Sequence, residues 1–379
     1  MAHLRKRGKK KWQIVIEMPR DPVTGERRRK YRTVNCTKSE AKKKMRKMVY
    51  EMENGMMIEP SEVTYGELLQ EWLEGYCKPN LAARSYSSYK MIVDRHISPA
   101  LGDIKLQDLK AFHIQSYQSQ KLRKGRKDGK DGGLSPTTVR KHNHLISQSL
   151  NYAVQMEMLK SNPAKAVSAP KREDKEIMYL KKDEIETLLD ACPDDGWMEK
   201  YIYFSIRTGM RRGEVLGLRW KDVDLNDEVI NVNQTLQRVR NKGINFKSPK
   251  TRSGRRSIVI NSRVVEILNE IRKDQNKNKL SHGKDYYTDQ NLVFCNDDGS
   301  PVNPQGVTRR FKKIAKKAGF PELRLHDLRH THATLLMRNG VNPKVVQQRL
   351  GHKNISQTLD TYSHVSTDLQ RDAVERISI

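Results

Sequence analysis

Acidic residues are too few to balance the basic ones in this chain. Only 45 Asp and Glu stand against 73 Lys and Arg, a formal charge of +28 over 379 residues. A solvated surface needs no such excess, so a polyanionic partner is expected, nucleic acid before an anionic membrane. Aromatics are also sparse, at 6%. That argues against base stacking on single strands and favours duplex DNA. The four cysteines, Cys36, Cys77, Cys192 and Cys295, lie far apart without a CxxC pair. They read as reduced thiols of a cytoplasmic protein, and neither a disulfide frame nor a zinc site is expected. No apolar run approaches the length of a bilayer span, and no signal-peptide core follows Met1-Ala-His-Leu-Arg-Lys6. No internal repeat is apparent.

The length allows two or three domains, each with its own core. The pattern predicts an α+β multidomain chain, predominantly α, in three regions. Residues 1–60 hold 18 Lys and Arg and read as a small three-stranded sheet plus a helix. Strands are expected at Trp12–Glu17 and Lys30–Val34, with a turn at Asp21–Gly25 between them. Thr37-Lys-Ser-Glu40 reads as a capping box opening a helix from Ala41 to Asn54. The hairpin arginines Arg27, Arg28 and Arg29 would form the DNA-contacting edge. The competing reading, a disordered basic tail, lacks the alternation and the caps seen here.

Residues 64–170 read as a helical bundle, with helices over Thr64–Tyr76, Ser85–His96 and Gln107–Lys124. The Gly- and charge-rich stretch from Gly125 to Gly133 reads as a flexible loop. A fourth helix starts at Ser135-Pro136, with serine at the N-cap and proline at N1. It would bury Val139, Ile146, Leu150 and Ala153 and leave Arg140, Lys141, His142 and His144 for solvent or DNA. A bundle with an ordinary charged exterior is the bland reading, and the charge of the whole chain favours a DNA clamp. Ala169–Lys175 is a polar linker, and 175–379 forms a mixed, mainly helical third domain, with strands expected at Val229–Asn233 and Arg256–Ile260.

That last region carries an ordered series. Arg211 lies in Thr-Gly-Met-Arg-Arg-Gly-Glu214, flanked by Gly209 and Gly213, where backbone can approach a ligand closely. Its guanidinium can grip phosphate oxygens bidentately, with Glu214 as orienter. Lys250 lies in a turn with Lys247, Arg252, Arg255 and Arg256. An ammonium there can protonate a leaving oxygen, but chemistry alone leaves Lys250 and Lys247 equal, and the cluster also reads as a generic phosphate-contacting hairpin. His326 and Arg329, at i and i+3, would share one helix face, the arginine repeating the clamp and the histidine accepting a proton. His352 follows a glycine turn and can donate to a phosphate oxygen. Ser356 can cap a short last helix bearing Tyr362, a nucleophile if cations stabilise its phenolate. His326, His330 and His332 could instead hold a metal, but the glutamate of helical zinc hydrolases is missing beside them. The set suits metal-free phosphodiester chemistry, with no cofactor.

Together these motifs resemble the tyrosine recombinase (phage integrase) family across the whole chain, and within it the integrases of integrative conjugative elements, the Tn916-like group. Thr208–Glu214 matches the first arginine box, Pro249-Lys-Thr the strand-turn lysine, which selects Lys250, and His326-Asp-Leu-Arg-His330 the HxxR box. Leu350-Gly-His352 and Thr358–His364 match the last two. Each box is weak alone; five in order are specific. The resemblance implies a site-specific recombinase that integrates and excises a mobile element through a 3′-phosphotyrosine and a Holliday junction, without metal or ATP. It assigns an arm-site module to 1–60, a core-binding domain to 64–170 and the catalytic domain to 175–379. It further implies core and arm attachment sites on duplex DNA and a tetramer on DNA. A C-terminal tail with Val365, Leu369, Ala373 and Ile377 at helical spacing would be exchanged between protomers. An excisionase or DNA-bending accessory protein is the implied partner, and the bacterial cytoplasm and nucleoid the implied setting. A type IB-like DNA relaxase shares the residue set. A non-catalytic DNA-binding regulator would share the charge but has no use for Tyr362 with two arginines.

Overall fold

In the computed structural model, residues 2–17, 25, 29–53, 61–171, 178–192, 196–239, 243–249 and 254–362 are described. The chain divides into two compact units, Met1–Glu173 and Asp174–Ile379.

The first unit begins with an antiparallel sheet of β1 (Ala2–Lys6), β2 (Lys11–Glu17) and β3 (Arg29–Asn35) in that order. Ile14 and Ile16 alternate onto one face of the central strand, both fully buried, and pack with Met48 of helix α1 (Lys38–Glu53). The capping box ahead of α1 is formed: the Thr37 N–H donates to Glu40 Oε2 at 2.9 Å and the Glu40 N–H to Thr37 Oγ1 at 3.4 Å. The expected turn over 21–25 lies outside the described residues except for Gly25.

A bundle follows. Helix α2 (Tyr65–Glu71) is capped by Thr64, whose N–H donates to Glu67 Oε2 at 2.7 Å, and runs on in wider π-type turns over Trp72–Cys77 to α3 (Lys78–Asn80). Helix α4 (Ala83–Ile92) continues likewise through Val93–Ile97 into α5 (Ser98–Leu101). Helices α6 (Ala111–Lys124) and α7 (Pro136–Gln155) complete it around Tyr65, Leu69, Trp72, Ile114, Ile146 and Leu150. At the head of α7, Ser135 Oγ accepts from the Thr138 N–H at 3.3 Å. Val139, Ile146, Leu150 and Ala153 are all buried, as their spacing requires.

His142 departs from its expected place. It is 1% exposed, not on the solvent face, and its Nδ1 lies 2.9 Å from Tyr117 Oη. Burial, then His96 and Lys121, push its pKa down to about 4 from the ordinary 6.5. The unfolded chain therefore binds this proton more readily. The bundle is expected to lose stability as pH falls below about 6.5, until the folded-state group itself titrates near 4. The protection of α6 and α7 amides in the intact protein, measured as exchange relative to the intrinsic rate at each pH, should fall between pH 7 and 5 and fall less in His142→Gln. An equal response in both proteins would refute the assignment.

The second unit opens with α8 (Lys182–Asp190), α9 (Gly196–Thr208) and α10 (Arg212–Leu216). Strands β4 (Val223–Asp224) and β5 (Val229–Val232) follow, then the hairpin of β6 (Thr235–Val239) and β7 (Gly243–Lys247), which the sequence did not reveal. Strand β8 (Arg256–Val259) pairs back with β5, giving the sheet order β4-β5-β8. Helices α11 (Ser262–His282), α12 (Pro304–Lys317), α13 (Asp327–Arg338), α14 (Pro343–Leu350) and α15 (Ile355–Tyr362) make up the remainder. Tyr201 and Phe204 of α9 pack edge-on against Phe294 at the centre of the core, with ring centroids 5.5 and 5.1 Å away. The fold is thus mainly helical with small sheets, as expected. No helix among the described residues is long and apolar enough to cross a membrane.

Candidate active site at the end of α14

Helix α14 ends at Leu350 because Gly351 adopts the left-handed conformation, φ 67°. A helix end leaves carbonyls without intrahelical partners and carries partial negative charge. Arginines collect there. Arg329 Nη2 donates to the Leu350 carbonyl at 2.6 Å, and Arg211 Nη2 to the Gly351 carbonyl at 3.4 Å. Arg256 Nε donates to the Arg349 carbonyl at 2.6 Å. His352 follows, 8% exposed, with Nδ1 2.8 Å from Oγ1 of Thr358 in α15. One turn thus brings Arg211, Arg329 and His352 together beside the helix whose last residue is Tyr362.

Arg211 is the N-cap of α10, with its side chain 39% exposed. Its Nη1 donates to Glu214 Oε1 at 2.8 Å and its backbone N–H to Glu214 Oε2 at 2.9 Å. This is no surface ion pair, because the Glu214 side chain is 5% exposed and also pairs with Arg256 at 2.8 Å. Burial raises the pKa of Glu214, but the hydrogen bond and charge of Arg256, with the charge of Arg211, outweigh it and hold the group at about 2. The competing reading of the cluster around Lys250 as a generic phosphate-contacting hairpin does not hold for Arg256, whose Nε, Nη1 and Nη2 donate to the Arg349 carbonyl, the Gly254 carbonyl and Glu214.

Arg329 is 4% exposed and also donates to the Gly209 carbonyl at 2.8 Å. His326 does not lie within the helix carrying Arg329. It is the N-cap of α13, exposed at its edge, with its ring centroid 5.0 Å from that of His330. The surrounding protein, then His330 and Arg329, push its pKa down to about 4. Burial, then Arg329 and Arg211, push His352 to about 3. Both imidazoles are therefore neutral near pH 7.

The two glycines of the arginine box serve packing. At Gly209, φ 63°, a Cβ would lie 2.4 Å from His332 Cδ2; at Gly213 it would lie 2.5 Å from Thr235 Oγ1. His332 is held by the Ile206 carbonyl and by Arg349 Nε, at 2.7 and 3.1 Å. Among the described residues no three His, Cys, Asp or Glu side chains form a metal-binding group. Ser356 lies inside α15 and is not its cap. Lys250 lies outside the described residues, between β7 and β8, and so do Arg27 and Arg28. Of the other expected DNA contacts, Arg29 is exposed and pairs with Glu17 at 3.4 Å; Lys141 is exposed; Arg140 is exposed and donates to the Pro170 carbonyl at 2.7 Å.

One basic surface was not singled out from sequence. Helix α12 buries Val307, Phe311, Ile314 and Ala315 and exposes Arg309, Arg310, Lys312, Lys313, Lys316 and Lys317. Its start is tied to the residue after Arg211: Arg212 Nη1 donates to the Pro304 carbonyl at 3.3 Å and to Thr308 Oγ1 at 2.5 Å. The signal was legible as apolar residues at helical spacing between paired cations.

The phage integrase family matches residues 178–368, half of the chain. The chain belongs to that family. The N-terminal SAM-like domain of phage integrases matches residues 64–122. The enzyme is 29% identical to a XerC-like tyrosine recombinase of Caldanaerobacter subterraneus subsp. tengcongensis, with 98% of this chain and 97% of that protein covered. It is 27% identical to the ICEBs1 integrase of Bacillus subtilis, over 97% of this chain and 96% of that one. The fold is similar to that of the Tn1549 transposon integrase in complex with a circular intermediate DNA: TM-score 0.68 at 24% identity, covering 83% of this chain and all of that one. The resemblance carried by the five boxes is borne out. This is a tyrosine recombinase of the mobile-element type, an enzyme that cuts and rejoins DNA in site-specific recombination.

Proposed function

We propose that Tyr362 attacks a scissile phosphate held by Arg211, Arg329 and His352, that Lys250 protonates the departing 5′ oxygen, and that His326 takes the tyrosine proton. The convergence of three residues from distant boxes on the single turn 350–352 carries this reading. The charge balance supports it. Three arginines donate to the turn, and the buried carboxylate beside them, Glu214, is already shared by two. A phosphate, and the further charge of its transition state, suits what remains. With Thr358 donating its hydroxyl proton to Nδ1, neutral His352 carries its own proton on Nε2, ready for a phosphate oxygen. Neutral His326 can accept a proton, as a base must.

The products are a 3′-phosphotyrosine and a free 5′ hydroxyl, which attacks the partner duplex. Exchanging both strands of two duplexes requires four cleavages and hence four tyrosines, a homotetramer around a Holliday junction. In this reading 1–60 binds arm sites, 64–170 clamps core sites with Arg140 and Lys141, and the tail after Tyr362, which lies outside the described residues, docks on a neighbour. An excisionase or DNA-bending protein sets direction.

The exposed face of α12 adds backbone contacts to the catalytic domain. Replacing Lys312, Lys313 and Lys316 by alanine should weaken binding equally on all sequences. Each lost phosphate contact should lower the slope of log Kobs against log salt by about 0.9. An unchanged slope in a salt titration removes α12 from the interface. The reading as a whole is tested with two attachment-site duplexes, one nicked and labelled. A covalent adduct followed by joining of label to the second duplex is expected. Adduct with relaxation but no joining favours a relaxase, and no adduct with intact binding favours a regulator.

A further inference from the structure

We infer that Arg256 is a positioning residue for cleavage: it balances the charge of Glu214, so that Arg211 keeps its positive charge for the phosphate, and it anchors the turn that presents His352. The inference rests on the proposed roles of Arg211 and His352.

The geometry is specific. Three successive carbonyls at the end of α14, those of Arg349, Leu350 and Gly351, are each taken by a different arginine: Arg256, Arg329 and Arg211. The side chain of Arg256 is 6% exposed and reaches the carboxylate as well as the turn, donating from Nη2 to Glu214 Oε2 at 2.8 Å and from Nη1 to the Gly254 carbonyl at 3.2 Å. Its planar fork thus joins the first arginine box to the histidine turn, a task that a point charge does less well. Glu214 needs both partners. It must orient Arg211 through Oε1 and the backbone N–H, yet as a buried anion it would otherwise draw the whole charge of Arg211 to itself. With Arg256 present, the trio Arg211, Glu214 and Arg256 carries one net positive charge, and the exposed guanidinium of Arg211 is where substrate meets it.

The test is single-turnover formation of the covalent adduct on a nicked core-site duplex, with duplex affinity measured alongside. Arg256→Met should slow adduct formation by at least roughly tenfold while affinity stays within about twofold. The double variant Glu214→Gln with Arg256→Met should be faster than Arg256→Met alone, because a neutral amide no longer competes for the charge of Arg211. A merely structural role predicts the opposite, since two buried partners are then lost. Arg256→Lys, which keeps charge but not the fork, should form adduct faster than Arg256→Met, and it carries the test if Arg256→Met does not fold. Normal rates in Arg256→Met, a double variant no faster than the single, or a natively folded Arg256→Lys slowed by tenfold or more would each overturn the inference. Arg211→Ala is the control. If it cleaves normally the clamp itself is wrong; if it is dead while Arg256→Met is normal, only the inference fails.

Discussion

Tyr362→Phe is expected to bind its core site with unchanged affinity and to form no covalent adduct, a loss of at least about a thousandfold. The removed oxygen is the only atom that can bond to the phosphorus in the proposed mechanism, so no neighbouring group can substitute for it. Phenylalanine keeps the ring, and the backbone of α15 stays anchored through Thr358, which is fully buried and touches His352. Binding and chemistry should therefore separate cleanly. Denaturing electrophoresis of the protein with a nicked, end-labelled duplex reads the adduct, and peptide mass mapping locates it. Adduct persisting in Tyr362→Phe would move the nucleophile elsewhere and dissolve the order of attack proposed above.

The second large effect belongs to Arg329. Arg329→Ala is expected to lose both stability and rate. The side chain is 4% exposed and satisfies the carbonyls of Gly209 and Leu350, one within the first arginine box and one just before the turn to His352. A buried acceptor left without its donor costs about 1–3 kcal/mol, so the thermal transition of the catalytic unit should fall clearly. Loss of a preorganised cation near the phosphate should slow cleavage by about 10²–10³ beyond that. Lysine should rescue little, because one ammonium cannot span two carbonyls that lie in different segments. Thermal unfolding and single-turnover cleavage, measured on Arg329→Ala and Arg329→Lys, check both parts. Near-normal cleavage in either variant would show that the clamp needs only Arg211.

Much of this was legible in the chain itself. The capping box at Thr37, the Ser135-Pro136 helix start and the stripe from Val139 to Ala153 follow from local rules, because caps and helical periodicity involve residues within one or two turns. The site boxes were legible as chemistry for a similar reason: guanidinium, imidazole and phenol have few common uses in that order. The β6–β7 hairpin was not, because its strands are short and find their register only in each other and against α10 and α12. His142 was misplaced because the helical wheel shows which face it occupies but not that Tyr117 and His96 reach over to cover it.

What the sequence determined alone is the substrate class, the helical character and the set of candidate reactive groups, since charge, periodicity and functional groups are properties of the chain. Which partners each arginine takes is a different matter. Arg211, Arg256, Arg329 and Arg349 are equivalent as letters, and only the folding of α10, β8, α13 and α14 onto one another gives them different partners. The tertiary structure decided that division because desolvation and hydrogen-bond geometry, which give each guanidinium its partners, exist only after distant segments have met.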